Sequence, residues 1–408
     1  MNGELKRKPC PSADMDSYWK SIDFRAAKAH VKKLQKRISD ALTQGELDKA
    51  EALMYMLTHS YLAKVFAVQC VCNKKNNDAK KLTTCGERYE LALTLNARGY
   101  RSDAVVRKEI PKANGGTRQL SIPSVRDRAM QTLYRFALEP VAEFLGDEHS
   151  YGFRPDRNTA DAVCRCLEIL DGDNRPQYIL EGDICRCFDT INRQWIMDNI
   201  PLEKKVLRQF LHRMYRQDGK LFPVTEGVPQ GACISPMICN MVLDGIEPLL
   251  KQHFGEAVQF VRYADDFVVI GHDRDMLERS VVPLLMDFLS VRGLHLSEDK
   301  TIITHIDRGF DFLGWHIQRY SGHTLATPSM KNILSLRTKV ESVLFSSWGS
   351  RKIMEDKLKS IIKGWVNYHR GIVPPQSLYE VEYDIVSLIM NTHGDRALAA
   401  LASAQFVL

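Results

Sequence analysis

The chain has 408 residues, 44% of them hydrophobic and 26% charged, with a formal net charge of +6 at pH 7. This is ordinary composition for a soluble protein, long enough for two or three domains, and its modest positive charge permits a nucleic-acid partner without demonstrating one. No apolar run approaches the ~20 residues that span a bilayer. The start, Met1-Asn2-Gly3-Glu4-Leu5-Lys6, lacks the apolar core of a signal peptide, so a cytoplasmic protein without a membrane partner is expected.

Basic residues crowd the first forty positions: Lys6-Arg7-Lys8, Lys20, Arg25, Lys28, Lys32-Lys33 and Lys36-Arg37. Lys74-Lys75 and Lys80-Lys81 follow. Such clusters suit a phosphate backbone, although a solvated helix face has the same composition. Apolar positions at helical spacing predict a helix from Phe24 to about Leu42, broken at Gln44-Gly45, and a second long one from Glu46 to about Val71. A further helix is expected around Cys85 to Arg98. Val105 to Ile110 and Thr117 to Ile122 alternate in polarity about Asn114-Gly115-Gly116, the pattern of a β-hairpin with Lys112 and Arg118 near its tip.

Ser150-Tyr151-Gly152-Phe153-Arg154-Pro155 reads as an exposed stretch whose aromatic rings and Arg154 suit single-stranded RNA. Gln177-Tyr178-Ile179-Leu180 reads as a buried strand ending in Asp183. Asp189, just beyond, reads as a cap or orienting residue for a helix beginning near Arg193. Pro229-Gln230-Gly231 breaks the chain before a helix near Ser235-Pro236, with Ser235 as its cap and Pro236 in its first turn.

Val258-Gln259-Phe260-Val261 and Phe267-Val268-Val269-Ile270 flank Tyr263-Ala264-Asp265-Asp266. Two apolar runs about a tight acidic turn predict a second hairpin. Adjacent carboxylates at one turn are costly unless compensated, and a divalent cation would do so; a solvated acidic turn is the plainer reading. Asp183 on a neighbouring strand would complete a set able to share two metal ions for phosphoryl transfer. Lys300 follows a short polar stretch, where a surface lysine is also common. Beyond Met330 the pattern is helical: Asn332 to about Phe345, Ile353 to about Arg370, and Ser377 to Met390. An apolar tail, Ala397 to Leu408, closes the chain and needs a covering surface, on its own chain or on a second copy in a homo-oligomer. The ten cysteines include Cys70/Cys72, Cys164/Cys166 and Cys185/Cys187, whose spacing is not that of a zinc site. They read as reduced, mostly buried thiols.

These blocks resemble the reverse transcriptases encoded by group II introns and their domesticated relatives. The resemblance is carried by Ile110-Pro111-Lys112 with Arg118 to Pro123, Asp127 to Gln131, Ser150 to Pro155 and the Asp183 block. It continues through Gly227-Val228-Pro229-Gln230-Gly231 with Ile234-Ser235-Pro236, the Tyr263 to Asp266 turn, Lys300-Thr301, Phe312-Leu313-Gly314, and Gly364 to His369. They stand in the family's order from about Arg107 to His369.

The resemblance implies an α+β right-hand polymerase with fingers, palm, helical thumb and a helical N-terminal extension. The extension, RNA-binding, would occupy 1–80, fingers and palm 81–325, the maturase-like thumb 326–375, and a helical tail 376–408. Asp183, Asp265 and Asp266, with the backbone carbonyl of Ile184, would hold two Mg²⁺ ions, Mn²⁺ being the alternative. Lys112, Arg118, Phe188, Gln230 and Lys300 would bind the dNTP. Of these, Phe188 would act as the gate against a ribose 2′-hydroxyl, and Lys300 would protonate departing pyrophosphate. Tyr151, Arg154, Tyr263 and Gly314 would meet nucleic acid. Partners would be an RNA template, either a dedicated non-coding RNA or an intron RNA, with dNTPs and a DNA product.

Departures from the family pattern are Ala232 and Val228 in the Gln230 loop, and the absence of a Gly-Val-Asp-Gly segment after the N-terminal helices. A basic DNA-binding stretch and a Cys–His nuclease after Gly371 are also absent. The last point leans the expected role towards a domesticated polymerase in phage defence or CRISPR-linked spacer acquisition. A group II intron maturase serving splicing and retromobility is the alternative, and a non-enzymatic RNA-binding splicing factor a further one.

Overall fold

The computed structural model describes residues 12–73, 82, 84–111, 116–171, 175–217, 219–224, 227–346 and 350–406. The basic runs at Lys6 to Lys8, Lys74-Lys75 and Lys80-Lys81, and Lys112 with the Asn114-Gly115 turn, lie outside them.

Helices α1 (Ser12–Ser21), α2 (Phe24–Thr43), α3 (Leu47–His59), α4 (Tyr61–Asn73) and α5 (Cys85–Thr94) open the chain. The hairpin β1 (Val106–Pro111)/β2 (Thr117–Ile122) precedes α6 (Val125–Phe144) and α7 (Thr159–Asp171). Then come β3 (Tyr178–Asp183), α8 (Cys187–Thr190), α9 (Arg193–Asn199), α10 (Lys204–Leu211), and the hairpin β4 (Met214–Gln217)/β5 (Lys220–Pro223). Helices α11 (Ser235–Leu243) and α12 (Ile246–Phe254) lead to β6 (Val258–Tyr263) and β7 (Asp266–Gly271). Helix α13 (Arg274–Met276) runs through a π turn into α14 (Val282–Ser290). Strands β8 (Ile302–His305), β9 (Phe310–Phe312), β10 (Trp315–Tyr320) and β11 (His323–Pro328) precede α15 (Met330–Leu344), α16 (Arg351–His369), α17 (Pro375–His393) and α18 (Arg396–Ser403). Among the described residues no helix is long and apolar enough to cross a membrane.

The chain forms two units. One comprises Met1–Asp147, Cys185–Gly245 and Phe288–His295. In it α2 buries Ala27, Val31, Leu34, Ile38 and Ala41, the i, i+4, i+7 stripe of an amphipathic helix, and α2, α3 and α4 all pack against α6. Arg25, Lys28, Lys32 and Lys36 stay on its exposed side. The long helix expected from Glu46 is two helices, because α3 ends at Ser60, whose ψ of 128° is extended. Apolar spacing continued across that break and hid it.

The other unit comprises Glu148–Ile184, Ile246–Asp287 and Leu296–Leu408. Its centre is an antiparallel sheet in the order β6-β7-β3-β8. Central β7 is buried along Phe267, Val268, Val269 and Ile270, the continuous apolar run a strand needs when both faces are covered. Gly182 is required where β3 crosses Phe267, since a Cβ there would lie 2.2 Å from the ring. A second sheet, β11-β10-β9, shares one core with the first through Trp315, Ile317, Phe310 and α7 residues Val163 and Cys166.

Helices α15 to α18 close around Leu336, Val340, Leu358, Ile362, Ile385 and Ile389. Asp395 caps α18 by accepting from Ala397 N–H at 3.1 Å and Leu398 N–H at 3.0 Å. The apolar tail is covered by its own chain: Leu398, Ala399, Ala402 and Phe406 all enter this core. One cysteine expectation, that the thiols are mostly buried, is corrected. Of the nine described cysteines, all free, only Cys166, Cys187 and Cys239 are buried, and Cys164 and Cys185 are exposed. A two-residue offset on α7 turns Cys164 outwards and Cys166 inwards.

Phe406 is 1% exposed. Phe406→Ala is therefore expected to destabilise the α15–α18 core by about 3–5 kcal/mol, read by chemical denaturation. An effect under about 1 kcal/mol would show the tail to be dispensable to that core.

Candidate active site

The Tyr263–Asp266 segment is the tight turn between β6 and β7, with Tyr263 paired to Asp266 across it. Ala264 takes φ 59° and Asp265 does not turn positive, the pattern of a hairpin that favours glycine at its first turn residue. An alanine held there costs about 1 kcal/mol. The β3–β7 register sets Asp183 directly opposite Asp266 at the same end of the sheet. Two residues 83 positions apart in the sequence thus become cross-strand neighbours, and Asp265 stands beside them on the turn.

The electrostatics follow. Asp266 reaches solvent at its edge, yet the protein around it desolvates the carboxyl. Its pKa is pushed up to about 6, by burial first and then by the charges of Asp265 and Asp183, against the relief of Lys300 and Lys331. Lys300 Nζ donates to Asp183 Oδ2 at 2.5 Å. That hydrogen bond, with the Asp183 charge, holds the Lys300 ammonium above its ordinary range. Asp183 is thereby turned to Lys300. Among the described residues, the set of three ligand atoms within 4.8 Å of one another is Glu148, His149 and Glu247, rather than the three aspartates. Three hard carboxylates facing one ammonium are nonetheless a donor set that fits Mg²⁺ or Mn²⁺. Ile184 pairs with Leu296 in an isolated bridge immediately after β3.

In the same unit Tyr151 and Tyr263 are half-buried against the shared core. Arg154 does not have the exposed position expected of it: it is 6% exposed and its Nε donates to Ser150 Oγ at 3.2 Å. The exposed ring of that stretch is Phe153. Arg154 is buried because the stretch runs alongside β6 rather than into solvent, with Tyr151 N–H donating to Arg262 O at 2.8 Å.

Gly314 has φ 88°, and a Cβ on it would sit 2.6 Å from Asn332 Nδ2. Asn332 is a residue that motif reading missed. Its Oδ1 accepts from Trp365 Nε1 at 2.5 Å and lies 3.2 Å from His369 Nε2. Tyr368 donates to Leu313 O at 2.8 Å and stacks on Trp315 at 4.4 Å. Burial drives His369 down to about 4, so it is neutral. Residues Trp365 to His369 therefore fasten α16 to the Gly314 turn and to α15. Asn332 follows Lys331 in the first turn of α15, where a polar residue is ordinary, so the sequence carried no signal for it.

Of the expected nucleotide-side residues, Lys300 stands with the aspartates, whereas Arg118, Phe188 and Gln230 belong to the other unit. Phe188 on α8 is half-buried rather than a core ring, and its carbonyl accepts from Val228 N–H at 2.7 Å. Gly227 is needed there, because a Cβ would fall 2.0 Å from that carbonyl. Gln230 O accepts from Ser121 N–H at 2.8 Å, which ties the loop to β2, the strand carrying Arg118. Gln230 Nε2 donates to Asp189 Oδ1 at 3.1 Å. Two capping expectations are corrected. Asn192, not Asp189, caps α9, accepting from Gln194 and Trp195 N–H. Ser235 is inside α11, where its hydroxyl donates to Pro229 O at 2.9 Å instead of capping. In both cases the chain turns one or more residues away from the position that polarity alone suggests.

A sheet with this acidic hairpin at its end defines a right-hand polymerase fold of α+β class. Comparison with known families agrees: residues 110–317 match the model for reverse transcriptase (RNA-dependent DNA polymerase), and residues 19–95 match that for the N-terminal domain of reverse transcriptase. The chain belongs to the reverse transcriptase family. It is 31% identical to Protein YkfC of Escherichia coli (strain K12), over 52% of this chain and 65% of that protein. It is 24% identical to the group II intron-encoded protein LtrA of Lactococcus lactis subsp. cremoris, over 66% of this chain and 57% of that one. Maturase-like protein 1 of Euglena gracilis is 23% identical over 83% and 74% of the two chains. Of YkfC and two Saccharomyces cerevisiae COX1/OXI3 intron proteins, the chain spans 65%, 34% and 32% of their lengths. A solved telomerase from Candida tropicalis has a TM-score of 0.47 at 15% identity, over 74% of this chain and 58% of that one.

The Asp266 shift fixes a pH dependence. A carboxyl whose pKa rises on folding binds its proton more tightly in the native state, so it favours folding below its ordinary value. That contribution is lost as pH climbs through the window from 3.8 to about 6. The metal-free protein should therefore melt at lower temperature as pH is raised from about 4 to about 6. Asp266→Asn should flatten that decline, and a slope unchanged in the variant would assign it to other groups.

Proposed function

We propose that the chain is an RNA-directed DNA polymerase that copies an RNA template into cDNA. The observation that carries this reading is the β3–β7 register, which pairs Asp183 with Asp266 beside Asp265. Asp183, Asp265 and Asp266, with the Ile184 carbonyl, would hold two Mg²⁺ ions. When bound, these supply a lowered pKa for the attacking hydroxyl and charge neutralisation on the leaving group. Lys300, long, exposed and held protonated by Asp183, would be released from that carboxylate to give a proton to departing pyrophosphate.

Arg118 and Lys112 suit the triphosphate, and Gln230, anchored through Asp189, suits the base or sugar. Phe188 is exposed enough to act as the gate that excludes a 2′-hydroxyl. Tyr151 and Tyr263 suit contacts with nucleic acid near the turn. The exposed basic side of α2 suits an RNA backbone. In this reading residues 1–80 form an RNA-binding extension, 81–325 the fingers and palm, 326–375 the thumb and 376–408 a tail. Its biological setting is proposed as copying a cognate structured RNA in a domesticated, defence-type role. A group II intron maturase is the second reading, favoured by the similarity to LtrA and to the maturase-like proteins.

The test is extension of a primed RNA template with dNTPs and Mg²⁺. Asp265→Ala/Asp266→Ala should lower the rate by about 10³-fold or more, the several kcal/mol that metal-held charge stabilisation supplies. Equal synthesis by this variant would refute the assignment. Phe188→Ala should leave dNTP incorporation active and raise rNTP incorporation. Unchanged sugar selectivity would remove Phe188 from the gate. RNA and DNA sequenced from the purified protein separate the two settings: intron RNA supports the maturase, a short repeated cDNA the domesticated enzyme.

A further inference from the structure

The acidic turn is built on a conformation that its own sequence disfavours, and something must hold it. Ala264 is 5% exposed and sits at φ 59° without the freedom of glycine. Directly before the turn lies Arg262, a guanidinium-bearing residue with 0% exposure. Burying an arginine is costly, and a chain that does so beside a catalytic turn must recover hydrogen bonds there. Arg262 Nη1 donates to Ala264 O at 3.2 Å. That carbonyl belongs to the peptide joining Ala264 to Asp265, so its direction sets where Asp265 stands.

The other side of the turn is held as well. The segment from His149 to Gly152 runs parallel to β6: Ser150 bridges Arg262, Arg262 N–H donates to His149 O at 2.9 Å, and Tyr151 N–H returns to Arg262 O at 2.8 Å. Glu247 anchors that segment, accepting from His149 N–H at 2.9 Å and pairing with the His149 ring. Gly152 ends it pressed on the turn, where a Cβ would lie 2.4 Å from Ala264 N and 2.9 Å from Tyr263 C. The Glu148, His149 and Glu247 cluster is thus accounted for as the root of a strut.

We infer that Arg262 is a positioning residue that, with the Gly152 strut opposite, locks the strained Ala264 turn so that Asp265 is presented to the metal ions. The inference rests on the polymerase reading for its consequence, but its geometry is independent of the template or primer. Lysine keeps the charge of Arg262 and loses the planar fork that reaches the Ala264 carbonyl. Glycine at 264 takes the turn without being held.

The experiment compares wild type, R262K and R262K/A264G in kcat and KM for dNTP, and in Mn²⁺ affinity by electron paramagnetic resonance without nucleic acid. Melting temperature serves as the fold control. R262K should lower kcat about 10-fold or more with KM within about 2-fold, and weaken Mn²⁺ binding, as small misplacement of a reacting group does. A264G in the same chain should restore both. Wild-type kcat and Mn²⁺ affinity in R262K overturn the inference, as does a loss that A264G leaves unrepaired. Should R262K not fold, G152A, which displaces the same turn from the other side, must show the same loss of Mn²⁺ affinity, and wild-type affinity there overturns the inference too. Absence of DNA synthesis by the wild type overturns the polymerase reading alone, since Mn²⁺ binding is read without synthesis.

Discussion

The acidic site depends on the antiparallel pairing of β3 with β7. That register places Asp183 against Asp266 and leaves Asp265 on the adjoining turn. Burial of the Asp266 carboxyl, and after it the like charges of Asp265 and Asp183, raise its pKa. The arrangement persists because the strands behind it are among the most thoroughly buried in the unit. Phe267, Val268, Val269 and Ile270 on β7, and Ile179 and Leu180 on β3, contribute apolar burial that does not depend on the carboxylates. Even the close crossing of Phe267 over Gly182 fixes the register: slippage by one residue would drive a side chain into that ring.

Around this sheet, polar groups are used as fasteners. Asn332, Trp365, Tyr368 and His369 tie the helices after Met330 to the Gly314 turn. In the other unit the Gln230 loop is tied to β2 at one end and to α8 at the other, so Gln230 and Phe188, two of the residues proposed for the nucleotide, are on braced backbone. Glycines at 227 and 314 stand where neighbouring atoms leave no room for a Cβ. Gly314, which the resemblance places against nucleic acid, also meets a packing demand of its own through Asn332.

Much of this was legible in the sequence because it depends on local pattern. Apolar runs flanking Tyr263 to Asp266 announce a hairpin whatever the rest of the chain does. The alternation around Gly115-Gly116 and the helical spacing from Phe24 and from Met330 are equally local. What was not legible depends on partners distant in sequence. Ser60 breaks a helix that apolar spacing alone would continue. Arg154 carries a charge and so reads as exposed, but β6 pairs beside it and buries it. The apolar tail looks unpartnered until α15 to α17 assemble under it. The strut from Glu247 through His149 to Gly152 touches a motif only at its Gly152 end, and its root joins residues about a hundred positions apart.

The most direct measurement is an anomalous diffraction map of crystals grown with Mn²⁺, a primed RNA template and an unreactive dNTP analogue. The account predicts two Mn²⁺ peaks within coordinating distance of Asp183, Asp265 and Asp266, with Lys300 Nζ withdrawn from Asp183 Oδ2. Metal peaks seated elsewhere, at Glu148, His149 and Glu247 for instance, with the Lys300–Asp183 contact intact, would contradict it.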